Sequence, residues 1–72
     1  MVNINKLKGK IVENGLTIDK LADLIKVDRS TMYRKLSLKG ETFTIKEATM
    51  IAQALHLNTG EVNAIFFDQV IA

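Results

Sequence analysis

The chain of 72 residues contains no cysteine, proline or tryptophan. Without cysteine it can form neither a disulfide framework nor a cysteine-based metal site, which suits a protein of a reducing compartment. No apolar run approaches the roughly 20 residues that span a bilayer. The first ten residues, MVNINKLKGK, lack the apolar stretch of a secretory signal. We therefore expect a cytoplasmic protein without a membrane partner.

The chain also has little net charge, formally only +2 at pH 7. Residues 29–40 nevertheless contain four basic side chains and no acidic one, and residues 1–12 contain three and none, leaving a net −5 on the rest of the chain. Such segregation is expected of a surface that faces nucleic acid. Lysines that merely solvate helix faces would give the same pattern, most of all in residues 1–12.

The apolar content of 47 % is ample for a helical core, and the apolar residues recur at helical spacing. We therefore predict one all-α domain, residues 1–72, with five short helices. The first helix is predicted to begin near Asn3 or Asn5 and to run to Asn14, before a left-handed Gly15. Its inward-facing residues are predicted to be Ile4, Leu7, Ile11 and Val12.

Residues 16–36, LTIDKLADLIKVDRSTMYRKL, predict two helices joined by a very tight turn. Thr17 and Asp28 are suitable N-caps for these helices, and only Lys26 and Val27 lie between the first helix and the second cap. Helices joined so closely cross at a steep angle, which is the geometry of a helix-turn-helix at about residues 17–36. The predicted inward-facing residues are Leu21, Ala22, Leu24, Ile25, Met32 and Leu36.

Two capping patterns predict the remaining helices. Thr44 and Glu47 form a T-x-x-E capping box at the start of the fourth helix. Asn58 and Glu61 have the same spacing at the start of the fifth. The predicted buried residues of these two helices are Ala48, Ile51, Ala52 and Leu55, and then Val62, Ile65 and Phe66.

Residues 16–36 resemble the helix-turn-helix of the Cro/CI-type, or XRE-type, regulators of phages and bacteria. Ala22 occupies the family's small-residue position between the helices, and Val27 and Met32 occupy its apolar positions. The stretches GLTIDKLADLIKVDRSTMYRKL and FTIKEATMIAQALHLNTGEV extend the resemblance from about residue 4 to residue 66. The resemblance implies a lambda-repressor-like fold whose third helix enters the major groove of an operator.

The resemblance also implies which side chains meet double-stranded DNA. The residues expected to contact bases are Arg29, Ser30, Tyr33 and Arg34. The residues expected to contact phosphates are Thr17, Thr31, Lys35, Ser37 and Lys39. Arginine can donate two hydrogen bonds to guanine, whereas phosphate contacts position a domain without reading sequence. Three alternatives stay open: the Tyr33 ring packing on a neighbouring loop, Thr31 bonding its own backbone, and the Lys35 amine reaching only solvent.

Three residues depart from the family's pattern. Ile18 replaces the glutamine that is usual at the start of the second helix, and Asp28 brings a negative charge close to the expected phosphates. Lys26 stands at the position of a turn glycine. If Lys26 is left-handed, its side chain costs on the order of 1–2 kcal/mol.

The end of the chain, IFFDQVIA, is strongly apolar. The tail of about residues 67–72, together with Ile65, offers more apolar surface than five short helices easily bury. We predict a homodimer or partner interface formed by Ile65, Phe67, Val70 and Ile71. Folding of the tail onto its own core is the alternative.

These observations predict a sequence-specific transcriptional regulator resembling a small phage Cro-like repressor of a lysogeny switch. It would bind a two-fold operator as a dimer and associate with the nucleoid of a bacterial host cell. The alternative is a modulator that binds a partner phage repressor. His56 is the only histidine and has no metal-ligand spacing around it. We therefore expect no enzyme activity, metal, cofactor or small-molecule substrate.

Overall fold

A computed structural model describes residues 2–67, and that part of the chain contains five helices and no strand. The helices are α1 (Ile4–Glu13), α2 (Ile18–Ile25), α3 (Arg29–Ser37), α4 (Ile45–Ala54) and α5 (Thr59–Phe66). The predicted all-α, five-helix architecture is confirmed. No helix in the described range has the length and apolar character needed to cross a membrane.

Each helix begins after a polar side chain that accepts a hydrogen bond from a backbone N–H of the first turn. These N-caps are Asn3, Thr17, Asp28, Thr44 and Asn58. The last two form complete capping boxes with Glu47 and Glu61, as predicted. Such bonds satisfy N–H groups that have no partner inside the helix. The helix starts are therefore encoded within three residues of each cap.

The core contains side chains from all five helices. α2 packs against α3 and α4, and α1 packs against α2 and α5. The buried apolar residues are Leu7, Ile11, Leu21, Ala22, Ile25, Met32, Leu36, Ile51, Leu55, Ile65 and Phe66. α2 therefore lies at the centre and holds α3 against the rest of the domain.

The predictions that Val12 and Leu24 face inward are wrong, because both side chains are exposed. At 3.6 residues per turn, each lies about 100° around its helix from the centre of the buried face. Sequence spacing places such residues at the margin of an apolar stripe. Only the packing of neighbouring helices decides on which side of that margin they fall.

The turn between α2 and α3 depends on Lys26. This residue adopts a left-handed conformation, with φ 61° and ψ 39°, and its N–H donates to the carbonyls of Ala22 and Asp23. The N–H of Val27 also donates to Ala22, at 3.0 Å. The left-handed residue ends α2 abruptly, as C-terminal caps of this kind do. α3 therefore starts only four residues after α2 ends.

Candidate DNA-binding surface

The predicted base-contacting residues lie together on the exposed side of α3. Arg29, Ser30, Tyr33 and Arg34 are all exposed, and we refer to them as the α3 face. Met32 and Leu36 are buried in the core, on the side of the helix away from Ser30 and Arg34. Burial of that side orients Ser30 and Arg34 outward, whereas Arg29 is exposed at the start of the helix.

Asp28 caps α3 and is hydrogen-bonded to the first turn of that helix. Its carboxylate accepts from the backbone N–H of Ser30 at 3.1 Å and of Thr31 at 3.4 Å. The Ser30 hydroxyl also donates to it. These bonds, the hydroxyl first, hold the pKa of Asp28 below its usual value. Helix capping thus explains the negative charge of Asp28, a residue that departs from the family pattern.

Two carboxylates of α2 contact the α3 face, an arrangement that our reading of the sequence missed. Arg29 donates to Asp23 from Nε at 3.3 Å and from Nη2 at 2.8 Å. Its Nη1 lies 3.7 Å from Oδ2 of Asp19. Hydrogen bonding to Arg29 lowers the pKa of Asp23. The nearby Asp19 carboxylate raises the pKa of Tyr33, because it accepts a hydrogen bond from the protonated hydroxyl and repels the phenolate.

A sequence signal for this contact existed. Asp19 and Asp23 are four residues apart, so they share one side of α2, and the predicted tight turn brings α3 close to that helix. The crossing of α2 and α3, which decides that Arg29 reaches this side, could not be read from spacing.

Most of the predicted phosphate-contacting residues lie near the ends of α2 and α3. Thr17 is exposed at the start of α2, and Ser37 and Lys39 are exposed at and just beyond the end of α3, whereas Thr31 is half-buried. The hydroxyl of Ser37 donates to the carbonyl of Arg34 at 2.8 Å. Ile18, which replaces the family's glutamine, is partly buried against the core.

Lys35, which was expected to contact phosphate, has partners inside the protein. Its ammonium group donates to the carbonyl of Thr42 at 3.0 Å and lies 3.1 Å from Oε1 of Glu47. It also lies 5.8 Å from the centre of the Phe43 ring, and the side chain is only 15 % exposed. Lys35 therefore ties α3 to the start of α4. Its charge is already compensated inside the protein, so we omit it from the proposed contacts.

Burial and hydrogen bonding shift the pKa of Glu47 in opposite directions. Burial raises the pKa of Glu47, but the backbone N–H of Thr44 and the ammonium group of Lys35 outweigh it. The net effect is a lowered pKa, so Glu47 is ionised at neutral pH and attracts Lys35.

The predicted partner interface also needs correction at one position. Ile65 is 0 % exposed and belongs to the core, because α5 turns this residue toward α1; it offers no surface to a partner. Phe67 is half-exposed and lines an apolar groove of about 490 Å³, with Val2, Phe43 and Ile45 among the other lining residues. Val70 and Ile71 lie outside the described residues.

His56 belongs to no group of metal-ligating side chains in the part of the chain that the structure describes. It is exposed and left-handed, with φ 55°, just beyond α4. Within residues 2–67, no three histidine or carboxylate side chains are grouped so that they could hold a metal ion.

The helix-turn-helix geometry agrees with a comparison to protein families. The family model of the Cro/C1-type HTH DNA-binding domain matches residues 6–68. The chain belongs to this family. The match spans most of α1 and all of α2 to α5, so the predicted membership is confirmed. No curated protein and no solved structure compared with the chain matches it.

Membership in the Cro/C1-type family makes DNA the expected ligand of this domain and points to a DNA-binding regulator rather than an enzyme. In helix-turn-helix domains the second helix of the motif lies in the major groove and presents its N-terminal residues to base edges. That helix is α3 in this chain, and the first-turn residues are Arg29 and Ser30.

Proposed function

We propose that this Cro/C1-type domain is a sequence-specific transcriptional repressor resembling a small phage Cro-like protein. The exposed α3 face carries this proposal, because it presents two arginines, a serine and a tyrosine outward from a helix whose other side is buried. The repressor would act sterically, by occupying a promoter, in the cytoplasm of a bacterial host cell.

The residues divide into two roles. Arg29 and Arg34 have the fork of donors that matches guanine, while Ser30 and Tyr33 meet neighbouring base edges. Phosphates would be contacted by Thr17, Thr31, Ser37 and Lys39. Base contacts set the preferred sequence, and phosphate contacts set register and a large share of affinity.

A homodimer on a two-fold operator would place two α3 helices about 34 Å apart, one turn of DNA. The half-exposed Phe67 beside the apolar groove supports an interface near the end of α5. Val70 and Ile71 stay predicted members of that interface.

The test is selection of binding sites from a randomised duplex pool, followed by affinity measurements across a range of salt. A palindromic site should be enriched, and each neutralised phosphate should add about 0.9 to the slope of log affinity against log salt. Arg34→Ala should relax preference at one base position, whereas Lys39→Ala should weaken all duplexes alike and lower the slope. Lys8→Ala, which removes an exposed lysine of α1, is the control for net charge.

The proposal would be contradicted by equal losses for Arg34→Ala on selected and random duplexes. Absence of any enriched site would also reject it.

A modulator that binds a partner phage repressor is a second candidate, favoured by the apolar groove. Ile45 is 86 % exposed at its rim, and Phe67 is half-exposed. This candidate predicts tight binding to a cognate repressor that Ile45→Ser weakens. Val12→Ser, at an exposed apolar residue outside the groove, should leave that binding unchanged. A flat salt dependence of DNA binding would favour this candidate over the first.

A further inference from the structure

Asp23 contacts one particular edge of the Arg29 guanidinium group. Its two carboxylate oxygens accept from Nε and Nη2, at 3.3 and 2.8 Å. This paired contact spans the side of the guanidinium group and is the arrangement in which arginine binds carboxylate most specifically. It fixes the plane of the guanidinium group relative to α2.

The other edge of the same group, formed by Nη1 and the second hydrogen of Nη2, carries donors that Asp23 does not use, with Asp19 at ion-pair distance from Nη1. Nη1 makes no hydrogen bond to a described residue, since the nearest ion-pair oxygen, on Asp19, is 3.7 Å away. The Arg29 side chain is 56 % exposed. Two parallel N–H donors on this edge are what the O6 and N7 atoms of guanine require.

We infer that Asp23 is a positioning residue for base readout, which holds Arg29 so that its free edge faces guanine. This inference rests on the proposed function, because it assigns a role within the same DNA contact. Asp23 itself touches no base in this arrangement. It acts by ordering the Arg29 side chain before DNA arrives.

The energetic reason is conformational entropy. A free arginine side chain loses substantial rotamer freedom when it is fixed against a base. The contact with Asp23 removes part of that freedom in the unbound protein, so less is lost on binding the correct site. On non-specific DNA, where Arg29 makes no base contact, this advantage disappears and the negative charge of Asp23 only repels phosphates.

Removal of the Asp23 charge should therefore have opposite effects on two kinds of DNA. Asp23→Asn should bind random duplexes more tightly, and its preference for the selected operator over random duplexes should fall about threefold to tenfold. Asp23→Ala, which removes both acceptor oxygens, should show at least the same loss. Circular dichroism should first show that each variant is folded.

Glu41→Gln provides the matched control. Glu41 is exposed in the loop after α3, and its carboxylate makes no ion pair with a residue in the range 2–67. Its substitution removes the same charge and should strengthen binding to both kinds of DNA equally, leaving the preference unchanged.

The decisive measurement is a double-mutant cycle with Arg29→Ala. In the Arg29→Ala background, Asp23→Asn should leave the preference for operator over random DNA unchanged. If the preference falls equally in both backgrounds, or does not fall in either, the positioning role is wrong while the repressor function stands. A pool that yields no operator rejects the proposed function and this inference together.

A readout without DNA tests the contact itself. The Nε–H proton of Arg29 should exchange slowly with solvent in the free protein and fast in Asp23→Ala, by NMR. Equal exchange in the two proteins would overturn the inference, whatever the DNA measurements show.

Discussion

The left-handed backbone at Lys26 makes Lys26→Gly the most informative stability variant of the turn. With φ 61° and ψ 39°, the lysine Cβ crowds the following carbonyl, a strain of about 1–2 kcal/mol. Glycine has no such strain but loses more backbone entropy on folding, about 0.5–1 kcal/mol. We expect Lys26→Gly to raise the free energy of unfolding by about 1 kcal/mol, or Tm by about 4–8 °C for a domain of this size.

Urea and thermal unfolding followed by circular dichroism measure this change, and Lys26→Ala is the control. Alanine removes the same charge and the same aliphatic stem but keeps Cβ, so the strain stays and stability should change by less than about 0.5 kcal/mol. If Lys26→Ala stabilises the domain as much as Lys26→Gly does, the effect comes from the side chain. That result, or an unchanged Tm in Lys26→Gly, would show that backbone strain at Lys26 does not limit stability.

Four further variants test features elsewhere in the fold. Lys35→Met should lower the free energy of unfolding by about 1–3 kcal/mol, because hydrogen bonds to charged groups contribute about that much. The slope of log DNA affinity against log salt should stay constant in this variant. A decrease of about 0.9 in that slope would mean that Lys35 contacts a phosphate. Gly40→Ala should destabilise the domain, since a Cβ there would lie 2.6 Å from the side chain of Val2 at a φ of +74°; Gly9→Ala, in open space within α1, should instead stabilise it by about 1 kcal/mol. Hydrogen bonding to the Lys10 ammonium group of α1 holds the pKa of Glu61 below its usual value. The stabilising effect of the Glu61 charge is therefore present above about pH 4.3 and is lost as the pH falls through the lower, folded-state pKa. Urea midpoints between pH 7 and pH 3 should fall less for Glu61→Gln than for the original chain.

The sequence by itself determined the helix starts, the all-α class and the helix-turn-helix. Thr17, Asp28 and the two capping boxes bond to N–H groups no more than three residues away, so their partners are known before the chain folds. The left-handed Lys26 was also foreseeable, because it stands where the resembled family has glycine. The residues of the α3 face were identified from the family resemblance, and their side chains are exposed.

Only the tertiary structure decided the partners of the long charged side chains and the fate of residues at the edge of an apolar stripe. Lys35 reaches Glu47, and Arg29 reaches Asp23, because particular helices cross at particular angles. Ile65 lies in the core rather than at an interface because α5 packs on α1. Capping and periodicity depend on residues within about four positions, whereas these contacts depend on the relative placement of whole helices, which local sequence does not encode.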